Sequence, residues 1–511
     1  MGRVGSTIPR GRPSTLVTYR AFRYRFRIRK VRNLCLILVL LAVPLAVLLA
    51  GPTAVADVIH LKNGRTIWAD QVREDKNKDR VEYDVGEDTY AIPKSSVERI
   101  DAGGAAPARG GLGAGGSAGV PDITPPAPTF DHEGDVAGKV IRDGKVDTEA
   151  LASLGRSASA EVAATGYFLA GKYTSDHGNF PEAKRYYELA LRFQPDNSTL
   201  LIYYAASLMR TGEASQALSY AERAARIAPD SPDALAMLGF VQFASDHTPD
   251  AIRSWKKSLT LRPDATVKQY LARAERESSA ESDFSQRESS HFNLHFEGKD
   301  TSENFRRDLL NVLDADYDDL VRDLDYSPRD SIAVTLYTQQ AFFDVTRAPS
   351  WSGAINDGKL RIPVSGVTSV TSEMAHVLKH ELTHSFVSRM SSNRCPTWLN
   401  EGIAQVEEGK SSASNGRVLA QLFGAGVEIP FNTLEGSFMS FSSPEATIAY
   451  AESLATVEYI RDTYGMGDVQ RILERLSQGS GTEAALRGVI HSDYRQLHDE
   501  MAAWLADRYG K

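Results

Sequence analysis

Two histidines four residues apart, His380 and His384, spell HELTH with Glu381 inside the stretch Ser372–Met390. On a helix, positions four apart project from one face, so the two imidazoles can take one cation together, and the carboxylate beside them can take a proton from water. Nitrogen ligands in this pattern suit zinc. The same stretch carries Ala375, Leu378, Leu382 and Phe386 at helical spacing, an apolar stripe that would seat the helix on a core. Seventeen residues beyond His384, Glu401 stands in Trp398-Leu399-Asn400-Glu401-Gly402-Ile403-Ala404. A third ligand there leaves one coordination position open, as a catalytic zinc requires. The blander reading is a solvated helix face that happens to be rich in histidine.

HELTH followed by WLNEGIA resembles the gluzincin metallopeptidases, and more narrowly the bacterial peptidase-MA-like proteins that append tetratricopeptide repeats (TPRs). The resemblance covers roughly residues 288 to 508. It implies His380, His384 and Glu401 as zinc ligands and Glu381 as the general base of peptide-bond hydrolysis. Thermolysin-type members carry an Asp one turn after the ligand Glu, where this sequence has Gln405, so the partner of the first histidine is left open. Glu407 and Glu408 are alternative carboxylates two turns further along, but the match to WLNEG favours Glu401. Tyr450-Ala451-Glu452-Ser453 is similar to a Tyr-containing segment that follows the metal motifs in members. That similarity implies Tyr450 as a donor to the oxyanion, with a buried, internally satisfied phenol as the alternative. In gluzincins a sheet-edge strand beside the metal helix pairs with extended substrate. Pro363 suits the end of an edge strand, so Leu360–Ile362 is the expected substrate edge.

These side chains need a scaffold. His291–Glu297 alternates strictly and reads as a strand, with His291 and His295 on a solvated face. Phe305–Leu324 has helix spacing, Ser331–Tyr337 is a second strand, and residues 353–363 read as a hairpin. Ser391-Ser392-Asn393 and Pro396 break the chain after the metal helix, and Thr397 can cap the helix that presents Glu401. A third helix, Glu445–Tyr464, carries Tyr450 and ends at Gly465. Cys395, isolated between the two motifs, reads as a small buried hydrophobe rather than a ligand.

Ahead of this part lies a repeat. Pro195, Pro229 and Pro263 are 34 apart, as are Ala183, Ala217 and Ala251, and the small residues Gly171, Ala205 and Gly239. Three frames in register at this period resemble tetratricopeptide repeats, which stack helix pairs into a surface suited to a peptide or protein partner. A spacer role is the other reading. Val267–Arg276 would cap the stack, and Glu277–Ser290 reads as a polar hinge.

The first 56 residues read as a leader: ten basic residues and no acidic one surround or precede the apolar run Leu34–Ala50, and Ala54-Val55-Ala56 offers a cleavage site. The run is short and broken by Pro44, which favours cleavage over a membrane anchor. Export to the periplasm or beyond is the expectation, with membrane association only if the leader stays. Ten of the 58 basic residues and none of the 66 acidic ones lie in it, so the remainder carries 48 against 66, a net of −18. That balance argues against nucleic acid as a partner. With two cysteines, one of them in the leader, no disulfide framework is available. Residues 57–101 alternate in four or five short strands, resembling a small SH3-like barrel. Residues 102–128, rich in Gly, Ala and Pro, read as a linker that lets its neighbours move independently.

The expected architecture is therefore multidomain α+β: leader 1–56, β barrel-like module 57–101, linker and approach 102–155, an α-solenoid of repeats 156–280, and a zincin-like catalytic domain 288–511. The expected function is an exported zinc peptidase acting on a peptide or protein. The alternative is a repeat-based adaptor whose metallopeptidase-like part is inert.

Overall fold

The structure, a computed structural model, describes residues 57–61, 66–69, 71–75, 80–85, 88–101, 133–298, 301–346, 354–356, 358–364, 367–438 and 441–510. The leader and most of the expected linker lie outside the described residues.

The N-terminal module has six strands: β1 (Asp57–Leu61), β2 (Thr66–Ala69), β3 (Gln71–Asp75), β4 (Arg80–Val85), β5 (Asp88–Pro93) and β6 (Val97–Asp101). They form two antiparallel sheets, ordered β2-β1-β6 and β3-β4-β5, and no closed barrel among the described residues. The chain leaves the first sheet between β2 and β3 and returns through a short 3-10 turn at Lys94–Ser96, so no ladder joins the sheets. Strand β3, QVRED, is too polar to announce itself by alternation. Independent movement is also not what the packing shows. Ile59, Val81 and Tyr83 share one buried cluster with Tyr337, Phe342, Phe343 and Val345 of the C-terminal part, because the apolar face of a short helix there, Gln339–Thr346, needs a cover.

A helix, α1 (Glu133–Val140), a two-residue hairpin, β7 (Ile141–Arg142) with β8 (Lys145–Val146), and α2 (Thr148–Ser157) precede the repeats. Three helix pairs follow: α3 (Ala160–Asp176) with α4 (Phe180–Phe193), α5 (Ser198–Arg210) with α6 (Ala214–Ile227), and α7 (Pro232–Ala244) with α8 (Thr248–Leu261). Small residues recur because the paired helices touch there: a Cβ on Gly239 would come within 2.5 Å of the Trp255 ring. A capping helix, α9 (Ala265–Ala280), closes the stack.

The turns inside the three pairs are Gly178, Gly212 and Asp246, again 34 apart, and all have left-handed φ, between 67° and 77°. Each rests on the C-terminal part. Arg394 lies over Gly178, the Arg389 side chain lies over Gly212, and Asp246 receives Lys359 at 2.7 Å and the His295 imidazole. His295 is thus a partner of the repeats and not a solvated strand residue. The stretch read as a hinge is also structured, since α9 runs to Ala280 and β9 (Ser285–Glu288) pairs with β10 (Phe292–Phe296).

The C-terminal part holds a five-stranded sheet ordered β12-β13-β11-β10-β9, with β11 at Ile332–Tyr337, β12 at Ile355–Asn356 and β13 at Leu360–Pro363. Strands β10, β11 and β13 are parallel, while β12 and β9 run antiparallel at the edges. Helices α10 (Glu303–Leu324), α11 (Gln339–Thr346), α12 (Ser372–Met390), α13 (Thr397–Glu407), α14 (Gly416–Ala425), α15 (Phe431–Leu434), α16 (Ser443–Tyr464), α17 (Met466–Ser477), α18 (Thr482–Val489) and α19 (Tyr494–Tyr509) complete it. One core runs from the sheet through α10 and α12 to the closing helices.

Candidate metal centre

Helix α12 starts where Thr371 accepts a hydrogen bond from the Met374 amide, and it stops where Ser392 and Asn393 turn to positive φ. Of the expected apolar stripe, Leu378, Leu382 and Phe386 are fully buried and Ala375 is half-buried. That seating turns His380 and His384 towards α13, their rings 4.8 Å apart and perpendicular.

Glu401 arrives from α13 because the next residue is Gly402. A Cβ there would lie 2.4 Å from the Ser453 carbonyl oxygen of α16, so the glycine lets these two helices close together. Pro396, not Thr397, occupies the N-cap, and no side chain caps this helix; the Thr397 amide is instead satisfied by the Glu435 carbonyl. Trp398 and Leu399 are buried in the core, with Trp398 against Phe431.

His380, His384 and Glu401 place one ligand-type atom each within 4.8 Å of one another. Glu401 Oε2 is 3.5 Å from His380 Nε2 and 3.8 Å from His384 Nε2. Burial opposes the Glu401 charge, but the two histidines hold its carboxyl below the ordinary range. His384 is oriented from behind by Asn400, 3.0 Å from Nδ1. Burial lifts the Glu381 carboxyl, with Glu401 adding to it and both histidines opposing. Burial and then the negative charges of Glu401 and Glu381 raise the Tyr450 phenol, which therefore keeps its proton. Cys395 is free and its thiol is raised, chiefly by burial.

The residue behind His380 is Glu408. Its Oε1 is 3.3 Å from His380 Nδ1, with Lys410 on its other side at 2.7 Å. Gln405 is used elsewhere: its amide nitrogen donates to the Tyr450 and Glu401 carbonyls. Residues seven apart share a helix face, so Glu408 lying two turns beyond Glu401 was the legible signal for this partner. Glu407 turns away, and burial together with Asp323 pushes its carboxyl up to about 7.

The donor set fits a metal: two imidazoles and a carboxylate are a zinc-type combination. His380 Nδ1 is buried 3.3 Å from Glu408 Oε1 without completing a hydrogen bond, so this carboxylate is the group that would orient the ring were Nε2 to hold a metal.

Residues 319–507 match the Peptidase MA superfamily. Residues 176–239 match the tetratricopeptide repeat, and the third helix pair extends the stack beyond that match. No curated protein matches the chain. The Peptidase MA segment begins inside α10 and contains α12, α13 and α16, and so holds every residue of the candidate centre.

The expected substrate edge needs correcting. Leu360–Ile362 is interior, between β11 and β12, and the edge belongs to Ile355–Asn356. A tight turn with Gly358 at φ 100° folds this extra strand over β13.

Proposed function

We propose that this chain is an exported zinc peptidase whose metal is held by His380, His384 and Glu401. The reading rests above all on the convergence of those three ligand-type groups within 4.8 Å, in a segment that matches the Peptidase MA superfamily. When bound there, zinc supplies Lewis acidity to a carbonyl oxygen and lowers the pKa of water towards neutrality. Glu381 accepts the water proton as its oxygen attacks the carbonyl carbon, then returns that proton to the leaving amine as the C–N bond breaks. The protonated phenol of Tyr450 is the proposed donor to the oxyanion. Glu408 orients His380 from behind, and Asn400 does the same for His384. An extended peptide would pair with β12, which is the edge of the sheet among the described residues.

Export rests on the leader alone, which lies outside the described residues. The adaptor reading would put a partner on the repeat surface away from the three intra-pair turns, which the chain itself engages.

Zinc content per chain, compared between the native protein and His380→Ala, tests the metal assignment; one zinc falling to near none is the expected result. Zinc-loaded native protein that leaves a broad peptide library uncut would overturn the peptidase reading.

A further inference from the structure

Lys359 and Arg361 flank Leu360 in the β12–β13 hairpin, and both are buried, at 6% and 0% exposure. Buried charge is tolerated only when paired and hydrogen-bonded. Their main partners come from the repeats. Glu277 of the capping helix, itself fully buried, reaches Lys359 with one oxygen at 2.5 Å and Arg361 with the other at 2.9 Å. Asp246, in the turn of the third helix pair, holds Lys359 at 2.7 Å. Arg361 also donates to the Tyr337 hydroxyl at 2.7 Å.

The opposite side of the hairpin is gripped differently. Asn356 accepts from the Gly358 amide at 3.2 Å, which fixes its side-chain oxygen, and its amide donates to the Glu381 carbonyl at 2.7 Å and to Ser385 Oγ at 2.6 Å. Glu381 and Ser385 each directly follow a histidine of the centre, so one amide spans the helical turn that carries both imidazoles. The hairpin is therefore clamped between the repeats and the metal helix, by charge on one side and by an amide on the other.

We infer that the third repeat and its capping helix set the geometry of the cleft, with Glu277 and Asp246 acting through Lys359, Arg361 and Asn356 as positioning residues for the edge strand and for Glu381. Matched buried charges suit this task because separating one pair would leave an uncompensated charge in the interior. Events at the repeats thus reach the centre through a continuous chain of contacts. For its kinetic consequence the inference rests on the peptidase reading; its structural consequence does not.

The test is amide hydrogen exchange on the full-length protein, read by mass spectrometry for residues 354–364 and 380–385 in Glu277→Gln, Lys359→Met and Asn356→Ala. Faster exchange in both stretches is expected for the first two variants, and for the third faster exchange at 380–385 and at the Gly358 amide, which loses its acceptor. Zinc content should stay at the native value. For a cleaved peptide, kcat/KM should fall about ten- to a hundredfold, the scale of a misplacement near 1 Å, with KM carrying part of it. Unchanged exchange at 380–385 in both charge variants overturns the inference whatever happens to turnover. Should Glu277→Gln fail to fold, Lys359→Met decides alone, since it keeps the Glu277–Arg361 pair. A zinc-loaded native chain that cuts nothing would instead count against the peptidase reading and leave the exchange result standing.

Discussion

Around His380 three carboxylates, Glu381, Glu401 and Glu408, gather with one largely exposed cation, Lys410; around the buried pair Lys359 and Arg361 three carboxylates gather as well, Glu277, Asp246 and Glu281. Among the described residues the first group has no buried Lys or Arg, whereas the second has two, each held by carboxylates. Burial works against charge on His380, but Glu401 and Glu408 override it and push its imidazole up to about 10. Buried carboxylates and imidazoles without a buried Lys or Arg beside them suit a bound cation, whereas carboxylates already paired to buried cations hold two parts of a chain together.

That contrast can be broken at either end. The largest effect belongs to Glu381→Gln, which should lower kcat by roughly 100- to 10,000-fold while zinc stays at the native stoichiometry; retained turnover in a clean preparation would remove Glu381 from its role. Next comes Arg361→Met, which strips Glu277 of its second cation and should cost about 3–5 kcal/mol in a chemical denaturation, whereas Glu381→Gln should cost little stability. The same cluster carries a pH signature. Burial opposes the Glu277 charge, but Arg361 and Lys359 hold its carboxyl down to about 2. Its contribution is therefore complete above the unfolded value near ~4.3 and is lost as pH falls towards about 2, a loss that Arg361→Met should blunt.

Glu408→Ala should weaken zinc binding about 10- to 100-fold, measurable by competition with a chelator; native affinity would mean that His380 needs no partner. The smallest effect is at Glu452, a buried acid whose carboxyl burial lifts to about 8, against a hydrogen bond from the Ile429 amide and with help from Glu428. A raised carboxyl destabilises the fold as pH climbs from about 4 to about 8, so Glu452→Gln should flatten that decline and gain roughly 1–3 kcal/mol at pH 8. It marks a third solution to buried charge, neutralisation by a proton alone.

What could be read from the chain was periodic or local. The apolar stripe of α12, the paired histidines and the 34-residue register each follow from side-chain spacing along one element, and the structure places those residues accordingly. What escaped depends on residues far apart in sequence. The charges of Lys359 and Arg361 read as an exposed edge because the acids that bury them lie 82 to 113 positions upstream. Glu408 was visible at seven-residue spacing, but its role depends on how α13 crosses α12. Strand β12 has two residues, too few for any pattern. The barrel expectation failed because alternation reveals strands but not which of them pair.

The three docked turns bear on how this chain can change over evolution. Free arrays of such units lengthen and shorten by duplication, since each unit touches only its neighbours. Here Gly178, Gly212 and Asp246 are matched one by one to Arg394, Arg389 and Lys359. A unit gained or lost between them would set at least one turn against a different partner, so a change in repeat number here would have to be matched by a change in the C-terminal part.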